Sequence, residues 1–316
     1  MRILFTGASS FTGSWIVQAL LAQGHGIVAP IRRAQADYDP LRRARMELIG
    51  PAVEVVEHCP FGTPQFVALL ERGQFDLLCH HGAQVDNYKA DDFDVAAAVR
   101  DNALNLPAVL RAGQGNPDFA VLLTGSVFEQ NEGEGTEPRL AVSPYGLSKG
   151  MTTDAFRYWC HRLGVKLAKF VVPNPFGPYE ETRFCDHLMR CWSAGRTAEV
   201  KTPDYTRDNI HVSLLAAAYA DMVARIGALP AFARLAPSLY AESQGAFAQR
   251  FAREIGMRLG LACPLQLTAQ VAFPEPKVRI NTDRLDPARL GWDESQAWDA
   301  LAAYYKERYP QSRAAG

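Results

Sequence analysis

The residues best suited to chemistry are a tyrosine and a lysine in the segment Ser143-Pro144-Tyr145-Gly146-Leu147-Ser148-Lys149. Four positions apart on a helix, the Tyr145 phenol and the Lys149 ammonium share one face. A tyrosine with its ordinary pKa of about 10 is a poor base at neutral pH, and a neighbouring cation lowers that value by favouring the phenolate. Such a pair can exchange a proton with an alcohol or a ketone. Alone, the spacing is frequent on solvent-facing helices. Its context is a hydrophobic run, Ala120-Val121-Leu122-Leu123-Thr124, that ends 21 residues before Tyr145. As a strand of an open α/β sheet, that run would deliver the Thr124 hydroxyl to the carboxyl edge, where ligands bind.

A second constellation lies at the amino end. Ile3-Leu4-Phe5-Thr6-Gly7-Ala8-Ser9-Ser10-Phe11-Thr12-Gly13 reads as a strand, a tight turn and a helix start. Gly7 permits the turn, Gly13 lets helix and strand pack closely, and the first helical N–H groups face an anion, which together make a pyrophosphate site. Ser10 stands where the usual pattern has its middle glycine. The next strand ends in Ala29-Pro30-Ile31-Arg32-Arg33, without the acid that would bond a ribose 2′-hydroxyl. Two adjacent guanidinium groups suit a 2′-phosphate instead, so Arg32 and Arg33 favour NADP(H) over NAD(H).

These groups need a scaffold, and the first two-thirds of the chain supplies one. Apolar runs at 2–5, 26–31, 53–57, 77–79, 120–124 and 167–172 alternate with helical stretches, several closed by glycine at Gly24, Gly73, Gly113 and Gly164. That alternation predicts a doubly wound parallel sheet of Rossmann type. After Pro173 prolines and aromatic residues break the rhythm, which marks a smaller, partly interleaved α/β substrate-binding domain. The expected division is 1–173 for the dinucleotide domain, joined by about 208–228, with 174–207 and 229–316 in the second. The tail 311–316 reads as a frayed end.

Composition sets the outer limits. The 316 residues carry 33 Lys plus Arg against 34 Asp plus Glu, a net charge of −1, and are 48% hydrophobic. There is no global positive field to suggest nucleic acid, and no apolar run of the roughly 18 residues a membrane span needs. A cytoplasmic protein is expected. Cys59, Cys79, Cys160, Cys185, Cys191 and Cys263 form no C-x-x-C pair and read as buried free thiols. The pair His80-His81 invites a metal, but adjacent strand residues point to opposite faces, so no metal site is expected. His211 reads as a packed structural residue, the cluster Cys185-Asp186-His187 as a helix start, and Glu180-Glu181 as a solvated helix N-terminus.

Along nearly its whole length the sequence resembles the extended short-chain dehydrogenase/reductases, in particular their nucleotide-sugar epimerase, dehydratase and ketoreductase group. The matching segments are Thr6-Gly7…Gly13, Cys79-His80-His81-Gly82-Ala83, Asn102, Thr124-Gly125-Ser126-Val127-Phe128, Tyr145 with Lys149, Asn174-Pro175-Phe176-Gly177-Pro178, Arg207-Asp208-Asn209-Ile210-His211-Val212 and Arg279-Ile280-Asn281. The resemblance implies a Thr124-Tyr145-Lys149 site that moves a hydride between a nicotinamide and a sugar carbon. Tyr145 would exchange the proton, Lys149 would hold the nicotinamide ribose and depress the tyrosine pKa, and Thr124 would bond the substrate oxygen. The resemblance also puts Gly7, Ser9, Ser10, Phe11, Thr12, Gly13, His80, Gly82, Ala83 and Asn102 at the cofactor. Ser126, Asn174, Arg207 and Arg279 fall at the nucleotide sugar, with Arg207 and Arg279 able to neutralise its diphosphate. It further implies a homodimer through helices near 104–112 and 145–161.

The expected function is NADP(H)-dependent reduction of the 4-keto group of a nucleotide-activated deoxysugar. A 4-epimerase with retained NAD is the alternative within enzymes, and a non-catalytic dinucleotide sensor the alternative outside them. Departures from the family pattern are Ser10, Cys59 after the third strand, Ser213-Leu214 in place of an acid pair, and the loop Tyr179-Glu180-Glu181-Thr182-Arg183-Phe184.

Overall fold

Seven parallel strands form the central sheet of the computed structural model, which describes residues 1–85, 87, 88, 90–135 and 137–310. The tail 311–316 lies outside the described residues. The first half of the sheet comes from β1 (Arg2–Thr6), α1 (Phe11–Ala22), β2 (Gly26–Pro30), α2 (Pro40–Ile49), β3 (Val53–Val56), α3 (Pro64–Gly73) and β4 (Leu77–His80). Then follow α4 (Val95–Asn102), α5 (Leu106–Gly113), β5 (Ala120–Ser126), the short β6 (Glu134–Gly135), α6 (Pro144–Leu163) and β7 (Lys166–Val172).

The second half opens with β8 (Asn174–Phe176), α7 (Phe184–Ser193), β9 (Ala198–Val200), β10 (Thr206–His211) and α8 (Val212–Ala224). It continues through β11 (Phe232–Leu235), β12 (Pro237–Ser238), β13 (Tyr240–Ser243), α9 (Gln244–Leu259), β14 (Leu265–Leu267), β15 (Val278–Ile280), β16 (Asp283–Arg284) and α10 (Glu294–Arg308).

The strand order β11-β7-β5-β4-β1-β2-β3 reverses direction between β1 and β4, where Thr6 pairs with His80. A crevice must open there, because the crossovers leave these two strand ends on opposite sides of the sheet. Apolar side chains on both faces of the strands hold the layers. Ile3, Phe5 and Leu122 pack with Leu214, Leu215 and Tyr219 of α8 on one face, and Leu4, Val121 and Leu123 with Leu110 and Phe156 on the other. Full burial of one such side chain contributes about 1.5–3 kcal/mol.

The strand β11 was not among the expected strands. It pairs in parallel register with β7 at the sheet edge, although its residues lie in the stretch assigned to the second domain. Its short pattern of alternating exposed and half-buried residues, FARL, carries no apolar run. The second sheet, β13-β10-β15-β6 with β8 beside β10, packs on a core of Phe176, Trp192, Phe247, Phe251, Trp298 and Tyr305. Among the described residues no helix is long and apolar enough to cross a membrane.

Candidate active site

The crevice at the β1–β4 reversal is a cleft of about 2170 Å³, roughly twice the upper end of ordinary ligand pockets. Its amino-terminal wall is the β1–α1 turn. Gly7 holds φ +79°, and a Cβ there would lie 2.8 Å from the backbone nitrogen of Gly82. A Cβ on Gly13 would lie 2.2 Å from the Gly7 carbonyl oxygen. Both positions therefore exclude a side chain, one by conformation and one by closeness. Ser10 is the N-cap of α1, and its Oγ accepts from the Gly13 N–H at 3.0 Å. The serine in the glycine position thus caps the helix, while Ser9, Ser10, Phe11 and Thr12 line the cleft beside the helix start. This turn fits a dinucleotide pyrophosphate.

Arg32 and Arg33 are exposed at the cleft mouth after β2. Arg32 donates to Gln84 Oε1 at 3.0 Å, which ties it to the β4 side. Arg42, which the sequence did not single out, also lines this end, with its guanidinium 5.9 Å from the Tyr38 ring centre. Cys59 is buried beside them.

At the end of β4 the two adjacent histidines diverge. His80 uses both ring nitrogens inside the protein, Nδ1 with Thr6 Oγ1 at 3.1 Å and Nε2 with the Asn102 carbonyl at 3.0 Å. Asn102 in turn accepts from the Gln84 N–H at 2.9 Å, and Thr6 Oγ1 accepts from the Gly82 N–H at 2.9 Å. His80 and Asn102 therefore shape the loop carrying Gly82 and Ala83 along the cleft. His81 joins Thr12 Oγ1 at 2.9 Å to Thr124 Oγ1 at 3.0 Å. Its partners are far away in sequence, and nothing local signals them. Burial holds both rings neutral, with pKa pushed down to about 3.

Thr124, Ser126, Tyr145 and Lys149 all line the middle of the cleft. Ser143 caps α6 by accepting from the Gly146 N–H, and Pro144 opens the first turn, so the sequence itself places Tyr145 at the helix start. Lys149 is buried and donates from Nζ to the Thr124 carbonyl at 2.5 Å. Burial lowers its pKa to about 8, against the pull of the Glu129 carboxylate. The expectation that Lys149 depresses the Tyr145 pKa needs correction. Burial first and Glu129 second push the phenol well above its ordinary value, and the cation that draws it back is Arg183. Lys149 is turned to the Thr124 carbonyl instead. Tyr88 and Phe93 stand edge-on to the Tyr145 ring, with centres 5.6 and 6.2 Å away.

The far wall comes from the second sheet and the segments beside it. Asn174 lines the cleft and pairs with Asn209 across β8 and β10. Arg207 also lines it, with its guanidinium stacked 4.4 Å from the Tyr205 ring centre and bonded to Glu275 at 2.9 Å. Arg279, expected at a diphosphate, is only 1% exposed and does not line the cleft. Its guanidinium donates to the carbonyls of Glu132 at 2.8 Å and Leu140 at 2.7 Å, because β15 pairs with β6 and turns the side chain beneath that loop.

Glu180 is likewise not at a solvated helix end, whereas the Glu181 side chain is 42% exposed. Glu180 is 6% exposed, lines the cleft, and burial raises its pKa to about 8. Glu181 pairs with Arg45 of α2 at 2.9 Å. Asp186 accepts from Tyr309 at 2.6 Å and pairs with Arg190 and Arg308.

The model of the NAD dependent epimerase/dehydratase family matches residues 3–231, nearly three-quarters of the sequence. The chain belongs to that family. Solved structures with the same fold include UDP-glucuronic acid 4-epimerase of Bacillus cereus, described in complex with UDP-glucuronic acid and NAD. It is 16% identical, with a TM-score of 0.73 over 98% of this chain and 100% of that one. UDP-glucose-4-epimerase of Stenotrophomonas maltophila, with bound NAD and formylated UDP-arabinopyranose, is 18% identical with TM-score 0.73 over 98% of each chain. The dTDP-glucose 4,6-dehydratase of Streptomyces venezuelae, with NAD and TYD bound, is 16% identical with TM-score 0.71 over 97% of each. As a member of the NAD dependent epimerase/dehydratase family, the protein carries its Rossmann-type sheet and its nicotinamide dinucleotide chemistry.

Proposed function

We propose that this family member reduces a keto group, at C4, of a nucleotide-activated sugar. The observation that carries the reading is one cleft that holds the Gly7–Gly13 turn at one end, Thr124, Tyr145 and Lys149 in the middle, and Asn174 and Arg207 at the other. Its volume suits two ligands end to end. A reduced nicotinamide supplies the hydride to the carbonyl carbon when bound. Tyr145, kept protonated by burial and by Glu129, gives its phenolic proton to the carbonyl oxygen as that oxygen gains charge. The Thr124 hydroxyl, oriented by His81, donates to the same oxygen. Lys149 holds a cationic end against the strand, where it can bond a ribose hydroxyl of the dinucleotide. Arg207 lies where a diphosphate would cross between the domains.

Arg32, Arg33 and the absence of an acid after β2 support NADP(H) as the preferred cofactor. A second reading, 4-epimerisation with retained NAD, is supported by the fold neighbours described as NAD-bound 4-epimerases. The test is incubation of the purified protein with NADPH or NADH and a panel of nucleoside diphosphate 4-keto sugars, following loss of the reduced-nicotinamide absorbance. Consumption of NADPH, with its preference over NADH eroded in Arg32→Ala/Arg33→Ala, is expected. Bound NAD in the purified protein with no net turnover of added NADPH would instead establish the epimerase, and binding of dinucleotide without any conversion a sensor.

A further inference from the structure

Behind the catalytic strand lies a buried charge cluster that meets the proposed proton transfer only through Glu129. Lys169 of β7 donates from Nζ to Glu129 Oε2 at 2.5 Å and to Glu132 Oε1 at 2.7 Å. Arg234 of β11 closes the cluster, bonding Glu132 Oε2 at 2.8 Å. Two buried carboxylates meet one buried cation, and Arg234 completes the charge balance from the exposed edge strand.

Glu129 is the member that reaches the active site. Its Oε1 accepts from the Ser126 N–H at 2.7 Å, and its Oε2 accepts from Thr153 Oγ1 at 3.0 Å. Ser126 ends β5, the strand that carries Thr124. Thr153 stands one turn beyond Lys149 on the same face of α6. One carboxylate therefore joins the two elements on which the reacting side chains stand. The backbone makes room for it: a Cβ on Gly125 would lie 2.4 Å from Lys169 Cε and 2.7 Å from Glu129 Oε1.

We propose that Glu129 is a positioning residue of this site, fixing the spacing of β5 and α6 through its two oxygens and, through its bond to Thr153 one turn from Lys149, setting a buried negative charge beside that ammonium. The proposal rests on the reading of Tyr145 and Lys149 as the reacting pair, and is independent of which sugar is reduced. The groups facing Lys149 come from each neighbouring element. β5 offers the Thr124 carbonyl, β4 the neutral rings of His80 and His81, the segment after β5 the Glu129 carboxylate, and β7 the Lys169 ammonium. Of these charges, Glu129 favours the Lys149 cation and Lys169 opposes it. Tyr145 feels Glu129, Arg183 and Tyr88.

The chain has seven lysines, so labelling lysine with ¹³C at Cε gives a spectrum in which Lys149 is assigned by its loss in Lys149→Arg. Titration of that signal in the full-length protein, without substrate, is the test. Glu129→Gln keeps the shape and can still accept from the Ser126 N–H; its Lys149 midpoint is expected to fall by about one pH unit, tenfold in proton affinity. Lys169→Met removes the opposing cation, and its midpoint is expected to rise. Mere loosening of the cluster would expose Lys149 and move both variants upward, towards an ordinary lysine. A midpoint that stays fixed or rises in Glu129→Gln overturns the proposal. The other lysine signals report folding. If Glu129→Gln does not fold, the charge-balanced Glu129→Gln/Lys169→Met variant replaces it, with a midpoint expected below that of Lys169→Met; equality of the two overturns the proposal. Neither outcome depends on finding the substrate, so a failed search for turnover and a failed field effect remain distinguishable.

Discussion

His81 carries its two hydrogen bonds as a neutral ring, so it donates through one nitrogen and accepts through the other. Thr12 and Thr124 therefore hold opposite roles, and a proton position at the β1–α1 turn fixes which way the Thr124 hydroxyl points. His81→Phe keeps the ring against Phe5 and removes both bonds. Loss of an orienting hydrogen bond of about 1 kcal/mol should lower kcat roughly fivefold and leave cofactor affinity nearly unchanged; an unaltered kcat in steady-state assays would mean that Thr124 is oriented without it. Tyr145→Phe removes the proton donor itself and should cut turnover by roughly 10²-fold or more while dinucleotide binding, measured by calorimetry, persists. The Tyr145–Lys149 pair was legible because its geometry is local, four residues on one helix. His81 and Arg183 were not, because their partners at Thr124 and Tyr145 are brought to them only by the sheet and by the loop before α7.

The elements were legible in proportion to their burial. β1, β4 and β5 are buried along nearly their whole length and read as apolar runs; β7 reads so too despite Lys169, whose charge is cancelled by Glu129 and Glu132. The edge strand β11 has no such run. The loop between β8 and α7 is unusual in composition, but its packing is invisible in the sequence, since it depends on α2, more than 130 residues away. There Arg45, fully buried, donates from Nε and Nη2 to the Tyr179 carbonyl at 3.0 and 2.6 Å and pairs through Nη1 with Glu181. Arg45 thus links the cofactor-side helix to the loop that carries Glu180 and Arg183. Arg45→Lys cannot make the fork. It should lower stability by about 1–3 kcal/mol in urea denaturation and raise KM for the nucleotide sugar more than for the dinucleotide. Equal effects on both KM values would show that the link does not reach the substrate loop.

At the scale of the whole molecule, a net charge of −1 conceals buried groups whose protonation differs between folded and unfolded chains. His80, His81 and His211 are held at about 3 by burial and return to about 6.5 when unfolded. Their contribution is present above about pH 6.5 and is lost as pH falls, because the unfolded chain then binds the protons. Glu180 has the opposite sign. Raised to about 8, it is protonated in the fold and ionises at about 4.3 when unfolded, so its contribution is present at low pH and is lost as pH rises through 8. Between about pH 5 and 6 unfolding should take up three protons at the histidines and release one from Glu180, a net uptake of about two, and stability should climb. Above about pH 7 the histidines differ little, and Lys149, held at about 8 in the fold against about 10.4 unfolded, increasingly offsets Glu180, so stability should level off towards pH 8. Calorimetric unfolding across this range should therefore give a Tm that climbs to about pH 7 and is nearly level from there to pH 8. Glu180→Gln should turn the level stretch between pH 7 and 8 into a continued rise, since the histidines and Lys149 then act unopposed, while the climb on the acid side remains. A wild-type Tm that keeps rising between pH 7 and 8, as in Glu180→Gln, would show that Glu180 is ionised in the fold, with the Arg183 guanidinium outweighing the cost of burying its charge.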